Sequence, residues 1–169
     1  NIHVINSLSA GGEVDLIVRK LNQLVAEGLD FDQVVDVITT YQSKTKLLFV
    51  LAKVDNLVKN GRLSKLIGTV VGLLNIRMVG EASKTGTLEL LQKARGQKKA
   101  IKAAFDELIK AGYAGGHITI AHRNNEKFIE QFSALVREKF AHAMIEVLPT
   151  SGLCSFYAEE GGLLMGYEI

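Results

Sequence analysis

The alternation of apolar and polar positions predicts a strand and two helices at the start of the chain. Apolar residues at positions 2, 4 and 5 indicate a short strand over residues 2–5. After Gly11 and Gly12, apolar residues recur at helical spacing until Gly28, which predicts a first helix. Asp30 is placed to cap a second helix, because Gln33 follows three residues later as in a capping box.

A different pattern begins near residues 43–46, where strands start to alternate with helices. Four contiguous apolar residues within 46–51 are typical of a strand that is buried on both faces. Apolar stretches at 76–79 and 87–92 flank a turn and predict a hairpin. Further helices are predicted from Ser64 or Lys65 to about Leu74, over 97–111 and from Asn124 or Asn125 onward. Further strands are predicted over 118–121, 143–148 and 163–167. This alternation predicts an α/β fold with a mixed β-sheet and helices packed on it.

Composition narrows the class of protein. The chain has 169 residues, of which 47% are hydrophobic and 22% charged, as in an ordinary globular domain. A net charge of +2 is too small to indicate nucleic-acid binding by itself. The single cysteine, Cys154, excludes an internal disulfide and favours a reducing compartment. The longest near-apolar stretch, 66–76, is about half of the roughly 20 residues needed to span a bilayer.

The first residue is Asn1 and not methionine, and a predicted strand follows it at once. We therefore expect the chain to be cut from a longer protein, with no signal peptide before the strand. Together with the lone cysteine and the lack of a membrane-spanning stretch, this leads us to expect a cytoplasmic protein.

Segment 59–65, KNGRLSK, is a candidate anion site because Gly61 and Arg62 stand just before an apolar helix. Amide groups and the dipole at a helix N-terminus favour an anion, and arginine can hold a carboxylate with two donors. The ordinary alternative is a glycine turn with a solvated arginine. The helix that follows is apolar nearly all round, so it is either buried on all sides or lines an apolar tunnel.

Five basic residues crowd a stretch of ten positions. They are Lys93, Arg95, Lys98, Lys99 and Lys102, and they are called the basic cluster below. Such a cluster can meet phosphate, an acidic partner or nucleic acid. No aromatic residue is interleaved, which argues against binding of single strands. The common explanation of such a cluster is a solvated entry to a helix.

The other candidates for chemistry are weak. His117 and His122 flank a strand at a spacing of five, so their side chains point to opposite faces and do not easily share a metal ion. No H-x-x-x-H, C-x-x-C or Walker pattern occurs, and Cys154 has no base beside it in the sequence.

Near the end of the chain, two acidic residues precede two glycines. Glu159 and Glu160 are adjacent carboxylates, which are more often solvated than catalytic. Gly161 and Gly162 stand before the last predicted strand, which indicates a tight loop or a close approach of the backbone.

Several segments, taken in order, resemble the DegV family. VDNL at 54–57 and KNGRLSK at 59–65 resemble the family pattern V-D-x-L-x-x-L-x-x-G-G-R-I-S-K, and LLNIR at 73–77 resembles L-L-N-I-K-P. KARGQKKA at 93–100 resembles K-x-R-G-x-K-K-A, and IAH at 120–122 matches a late I-x-H strand. GGLLMG at 161–166 resembles the closing G-P-G-A-L-G, and Asn6-Ser7 matches an early D-S. The resemblance covers essentially the whole chain.

The resemblance implies two α/β domains with a long-chain fatty acid, such as palmitate, stearate or oleate, held between them. Residues 1–44 would be a remnant of the first domain with a connecting helix, and residues 45–169 the second domain. It implies a lipid-binding protein with no catalytic residue, metal or cofactor of its own, which presents the acid to a separate fatty acid kinase for acyl-phosphate formation. Transient membrane contact and self-association of this chain fit that role, and nucleic-acid binding is not expected.

The resemblance also implies where the acid lies. Arg62 belongs to the polar network around the carboxylate, and the helix over 66–74 lines or backs the acyl tunnel. The implied fatty-acid-binding residues are Arg62, Ile67, Val70, Val71, Leu74, Ile76, Glu159, Gly161 and Gly162. Glu159 is a departure, because it stands where the family often has a histidine at the carboxylate, and two neighbouring carboxylates repel each other.

Two other functions stay open at the level of sequence. One is a small hydrolase or phosphotransferase that uses His122, Glu159 and Arg62. The other is a nucleic-acid or regulatory interaction module that uses the basic cluster. A fatty acid extracted from the purified protein would favour the lipid carrier over both.

Overall fold

A computed structural model of the chain describes residues 1–63 and 75–169. The helices in these ranges are α1 (Gly12–Ala26), α2 (Phe31–Gln42), α3 (Asp55–Lys59), α4 (Gln97–Lys110), α5 (Glu126–Lys139) and α6 (Gly152–Ala158). The strands are β1 (Thr45–Leu51), β2 (Ile76–Ala82), β3 (Leu88–Arg95), β4 (His117–His122), β5 (Met144–Pro149) and β6 (Leu163–Glu168).

These strands form one mixed sheet in the order β3-β2-β1-β6-β4-β5. Neighbouring strands are antiparallel except β4 and β5, which are parallel and are connected through α5. The last strand, β6, lies between β1 and β4. The predicted α/β fold with a mixed sheet is therefore confirmed, as is the hairpin, which pairs β2 with β3.

Strand β1 is buried on both faces and separates two apolar layers. Leu48 and Val50 belong to the larger core, to which α4 and α5 contribute. Phe49 and Leu51, at the alternate positions, belong to a smaller cluster on the opposite face together with Leu57 of α3. A strand covered on both faces needs contiguous apolar residues, which is the pattern in β1.

Helix α1 packs on β6 and β4, on the same face as the smaller cluster. The contact is very close at the first residue of the helix. A Cβ atom on Gly12 would lie 2.1 Å from the carbonyl oxygen of Thr119, and one on Gly166 would lie 2.2 Å from the backbone nitrogen of Glu13. Because neither position has room for a side chain, the two glycines fix where α1 begins on the sheet.

Two features differ from the predictions. Residues 2–5 do not form a strand, and Ile2 and Val4 are 94% and 82% exposed. A strand needs a partner to pair its backbone groups, and no strand of the described residues pairs with this segment. Asn125 precedes α5 as predicted, but it makes no capping bond, and its Nδ2 donates instead to the carbonyl oxygen of Gly161 at 2.7 Å.

The remaining helices differ in how well they were predicted. The predicted capping box of α2 is confirmed, since the amide of Gln33 donates to Asp30 Oδ1 at 2.9 Å. The short helices α3 and α6 were not predicted. The predicted helix over 66–74 lies outside the described residues.

Candidate functional site

A cavity of about 730 Å³ lies on the face of the sheet opposite α4 and α5. Its floor is apolar and is formed by side chains from three strands and one helix. The floor residues are Leu47, Phe49 and Leu51 of β1, Leu88 of β3, Leu164 of β6 and Leu57 of α3. The cavity therefore depends on β6 and β1 being neighbours in the sheet.

The aromatic ring of Phe49 lies directly against the backbone of β2. A Cβ atom on Gly80 would be 2.5 Å from Cζ of Phe49, so the ring occupies the space that a side chain at position 80 would need. Gly80 faces Phe49 in the ladder between β1 and β2. The Phe49 ring is therefore packed closely against the sheet, fully buried at the base of the cavity.

The rim of the cavity is polar and comes from separate segments. Ser7 and Ser9 precede α1, Thr85 and Thr87 belong to the β2–β3 connection, and Arg62 follows α3. An apolar floor with a few polar groups at one side is the arrangement that suits a ligand with an apolar body and a polar end.

Behind the rim, the buried carboxylate of Glu13 receives a hydroxyl on each oxygen. Ser9 Oγ donates to Oε2, and Thr45 Oγ1 donates to Oε1 at 2.8 Å. Glu13 is only 5% exposed, and such burial is tolerated because donors satisfy both oxygens. The bonds link the segment before α1 to the start of β1, which holds Ser9 in place at the rim.

Arg62 is held against α6. Its Nε donates to the hydroxyl of Tyr157 at 2.9 Å, and its guanidinium carbon lies 4.9 Å from the centre of the Tyr157 ring. Asn56 of α3 adds two bonds to the same region, since its amide donates to Glu159 Oε1 and its Nδ2 to the carbonyl oxygen of Phe156, both at 2.8 Å. Three hydrogen bonds therefore join α3 and the loop after it to α6.

The structure separates the predicted site residues into three groups. Arg62 lines the cavity. Ile76, at the start of β2, and Glu159, Gly161 and Gly162, after α6, are not among the described residues that line it. Outside the described residues lie Ile67, Val70, Val71 and Leu74. For all of these residues, contact with a ligand stays a prediction.

Glu159 and the glycines after it have clear local roles. Glu159 ends α6 with a backbone φ of 53°, and its carboxylate accepts from the amide at the N-terminus of α3, where a negative charge is favoured. Gly161 has a φ of 78°, and a Cβ atom on Gly162 would lie 2.0 Å from the carbonyl oxygen of Ala158. The tight loop predicted from the glycine pair is confirmed.

Hydrogen bonds among the described residues do not join the three side chains of the hydrolase or phosphotransferase alternative. His122 Nδ1 accepts from the amide of Asn125 at 3.2 Å, and no hydrogen bond in residues 1–63 and 75–169 links His122 with Glu159 or Arg62. His117 has a different neighbour, Glu146, with 3.3 Å between Nε2 and Oε2. In the same part of the chain, no group of three or more His, Cys, Asp or Glu is arranged to hold a metal ion.

The basic cluster lies away from the cavity, on the edge strand β3 and the first turns of α4. All five side chains are exposed. Lys102 makes a surface ion pair with Asp106, with 2.7 Å between Nζ and Oδ2. The cluster is thus an accessible positive surface at one edge of the sheet.

Two parts of the site were missed from the sequence. The first part is the cavity floor. The floor residues of β1 were recognised as a buried strand, but an apolar sequence alone does not show whether its side chains contact a ligand or other core residues. Tyr157 was missed because α6 was not predicted. The available signal was the helical spacing of Leu153, Phe156 and Tyr157, which is short and is interrupted by polar positions.

Within the described residues, no helix has the length and apolar character that a membrane span requires.

Comparison with known proteins gives one consistent result. A family model described as uncharacterised proteins of the DegV family matches residues 1–167. A DegV domain-containing protein of Streptococcus gordonii is 78% identical over 169 residues, which is 100% of this chain and 60% of that relative. The chain thus spans about 60% of the length of the curated relatives that it matches.

Two solved structures are similar both in fold and in sequence. The Streptococcus pneumoniae Fatty Acid Kinase (Fak) B3 protein, loaded with linoleic acid, matches with a TM-score of 0.98 and 76% identity over 100% of this chain and 60% of its own. A DegV family protein of Eubacterium eligens, loaded with heptadecanoic acid, matches with a TM-score of 0.96 and 35% identity over 99% of this chain and 61% of its own.

Proposed function

This chain belongs to the DegV family, and we propose that it takes part in binding a long-chain fatty acid and in presenting that acid to a separate fatty acid kinase. The observation that carries the proposal is the cavity with an apolar floor and a polar rim. It is supported by the fatty acids bound in the two similar structures. The acid would be of the palmitate, stearate or oleate class.

The energetics of the cavity suit such a ligand. Each methylene group that leaves water contributes about 0.8 kcal/mol, so about 14 methylenes of a palmitoyl chain contribute about 11 kcal/mol before the costs of binding. The tail therefore supplies most of the affinity. The head group supplies orientation, because a buried carboxylate without a partner would cancel much of that gain.

Arg62 is the proposed partner of the head group. It is the positively charged side chain among the described residues that line the cavity, and a guanidinium can hold a carboxylate with two parallel hydrogen bonds. The serines and threonines of the rim add hydroxyl donors beside it. Ile67, Val70, Val71, Leu74, Ile76, Gly161 and Gly162 are proposed as further parts of the binding region. Glu159 is proposed to act there through its bond to α3.

The remaining features of the proposal concern the protein as a whole. Residues 1–44 are proposed to complete a first domain and residues 45–169 to form a second, with the acid between them. The protein acts in the cytoplasm as a lipid carrier, while the kinase performs the chemistry. The basic cluster is the proposed docking surface for an acidic face of that kinase, since exposed charges of one sign steer association.

Two measurements test the proposal in the full-length protein. This is a protein with the length of the curated relatives, of which the present chain spans about 60%. Mass spectrometry of an organic extract should detect a co-purified long-chain fatty acid. Calorimetric titration of a delipidated sample should then show that Arg62→Ala weakens binding by about 1.5–3 kcal/mol. Arg137→Ala, an exposed arginine on α5, should leave the affinity unchanged. If no fatty acid is extracted and none binds on titration, the proposed function is wrong.

A further inference from the structure

We infer that Tyr157 is a positioning residue, whose hydroxyl orients the guanidinium of Arg62 for a two-pronged contact with the ligand carboxylate at the cavity rim. This inference rests on the proposed function and adds a residue to it. Tyr157 lines the cavity together with Arg62, and it was not among the binding residues that the sequence predicted.

Two contacts between the side chains fix the orientation of the guanidinium. The hydrogen bond from Nε to the tyrosine hydroxyl, at 2.9 Å, sets the rotation of the guanidinium plane. The guanidinium carbon lies over the Tyr157 ring, 4.9 Å from its centre, and this contact limits how far the guanidinium can move from the ring. With Nε held by Tyr157, a two-pronged contact with a carboxylate has to use the edge formed by Nη1 and Nη2.

Tyr157 can orient Arg62 because α6 itself is fixed at its middle and at its end. At its middle, Ser155 Oγ lies 2.8 Å from Thr150 Oγ1, and the Ser155 carbonyl oxygen accepts from Arg123 Nη1 at 2.9 Å. At its end, Glu159 is bonded to the amide of Asn56. The tyrosine hydroxyl is therefore presented from a helix that is held by bonds to three other segments.

The physical effect is preorganisation. A free arginine side chain on the surface has many rotamers, and ordering it when the ligand binds costs affinity. A hydroxyl that already selects the rotamer removes part of that cost. Loss of the hydroxyl should then weaken binding of the acid about 2- to 12-fold, the range for ordering one long side chain.

The test uses Tyr157→Phe in the full-length protein, because this change removes the hydroxyl and keeps the ring. Affinities are measured by calorimetric titration for palmitate and for hexadecanol, which has the same chain without the carboxylate. We expect weaker binding of palmitate, unchanged binding of hexadecanol, and no further loss when Tyr157→Phe is added to Arg62→Ala. Tyr113→Phe is the matched control, since it removes a hydroxyl that bonds the carbonyl oxygen of Gly116 away from the cavity. It should leave both affinities unchanged.

The outcomes separate the inference from the proposed function. Unchanged palmitate affinity in Tyr157→Phe, while Arg62→Ala is weakened, overturns the inference alone. An equal loss for hexadecanol, or a loss that persists in the Arg62→Ala background, also overturns it, because Tyr157 would then contact the ligand or support the fold without acting through Arg62. If Arg62→Ala itself binds palmitate normally, the head-group part of the proposed function fails, and the inference fails with it.

Discussion

Phe49 allows a test of whether the cavity floor sets the length of the acyl chain that fits. Its side chain is fully buried in the apolar cluster beneath the cavity and lies against Gly80. Phe49→Ala should lower the free energy of unfolding by about 3–5 kcal/mol and should also deepen the cavity. The first effect is common to buried aromatic residues, whereas the second is specific to this position.

The expected size of the second effect follows from the burial of methylene groups. Each one contributes about 0.8 kcal/mol, or about fourfold in affinity. In the unsubstituted protein, affinity should rise with chain length until the cavity is filled and then level off. Removal of the ring is expected to make room for about two more methylenes. In Phe49→Ala, an acid two carbons longer than the one at which affinity levels off in the unsubstituted protein should then bind about 1.6 kcal/mol, or about 15-fold, more tightly than that acid.

The assay is calorimetric titration with saturated acids from laurate to arachidate, together with denaturant unfolding of each variant. Phe128→Ala is the control, because Phe128 is also fully buried but stacks on Phe132 in the core on the other face of the sheet. It should lose comparable stability and keep the original dependence on chain length. An unshifted dependence in Phe49→Ala, or the same shift in Phe128→Ala, would refute the assignment of Phe49 to the floor.

Three further predictions concern other parts of the protein. Charge reversal across the basic cluster should slow kinase-coupled turnover about tenfold at low salt and leave lipid affinity unchanged. Charge reversal of the exposed Lys127 should change neither the turnover nor the affinity, and a turnover that does not depend on salt would contradict the prediction. Burial raises the pKa of Tyr113 to about 12, above its usual value near 10, so the stability that this tyrosine contributes is complete below pH 10. The part of the stability that Tyr113 contributes should therefore fall by about 1–3 kcal/mol as pH rises from 10 to 12, and Tyr113→Phe should reduce the pH dependence of denaturant unfolding in this range; an unchanged dependence would oppose this assignment. The 169-residue chain alone should unfold cooperatively, tend to dimerise and bind fatty acid more weakly than the full-length protein; equal affinity would place the whole site within this chain.

Much of the fold could be predicted because its signals are local. The contiguous apolar residues of β1 and the helical spacing in α4 and α5 reflect burial that each element achieves in its own neighbourhood. The strand predicted over residues 2–5 was wrong because strand formation also needs a pairing partner, which a pattern of four residues cannot supply. The place of β6 in the sheet could not be predicted, since its pairing with β1 joins residues far apart in sequence.

The candidate site was predictable only where its chemistry stands in one segment. Gly61 and Arg62 drew attention because a glycine and an arginine before an apolar helix have a known use. The floor was not predictable, because it exists only once the side chains of β1 and β6 face the same side of the sheet. Glu159 was expected near the ligand carboxylate, and its bond to Asn56 arises from the packing of α6 against α3, which sequence spacing does not encode.

The central position of β6 in the sheet has a consequence for folding of the chain during synthesis. Until β6 has been synthesised, β3-β2-β1 and β4-β5 are two separate half-sheets, each with an unpaired edge where β6 will lie. Leu164, which completes the cavity floor, arrives with that same strand. Pairing of β6 and completion of the cavity floor are therefore the same event, and a chain in which β6 is unpaired has both an incomplete floor and two exposed strand edges.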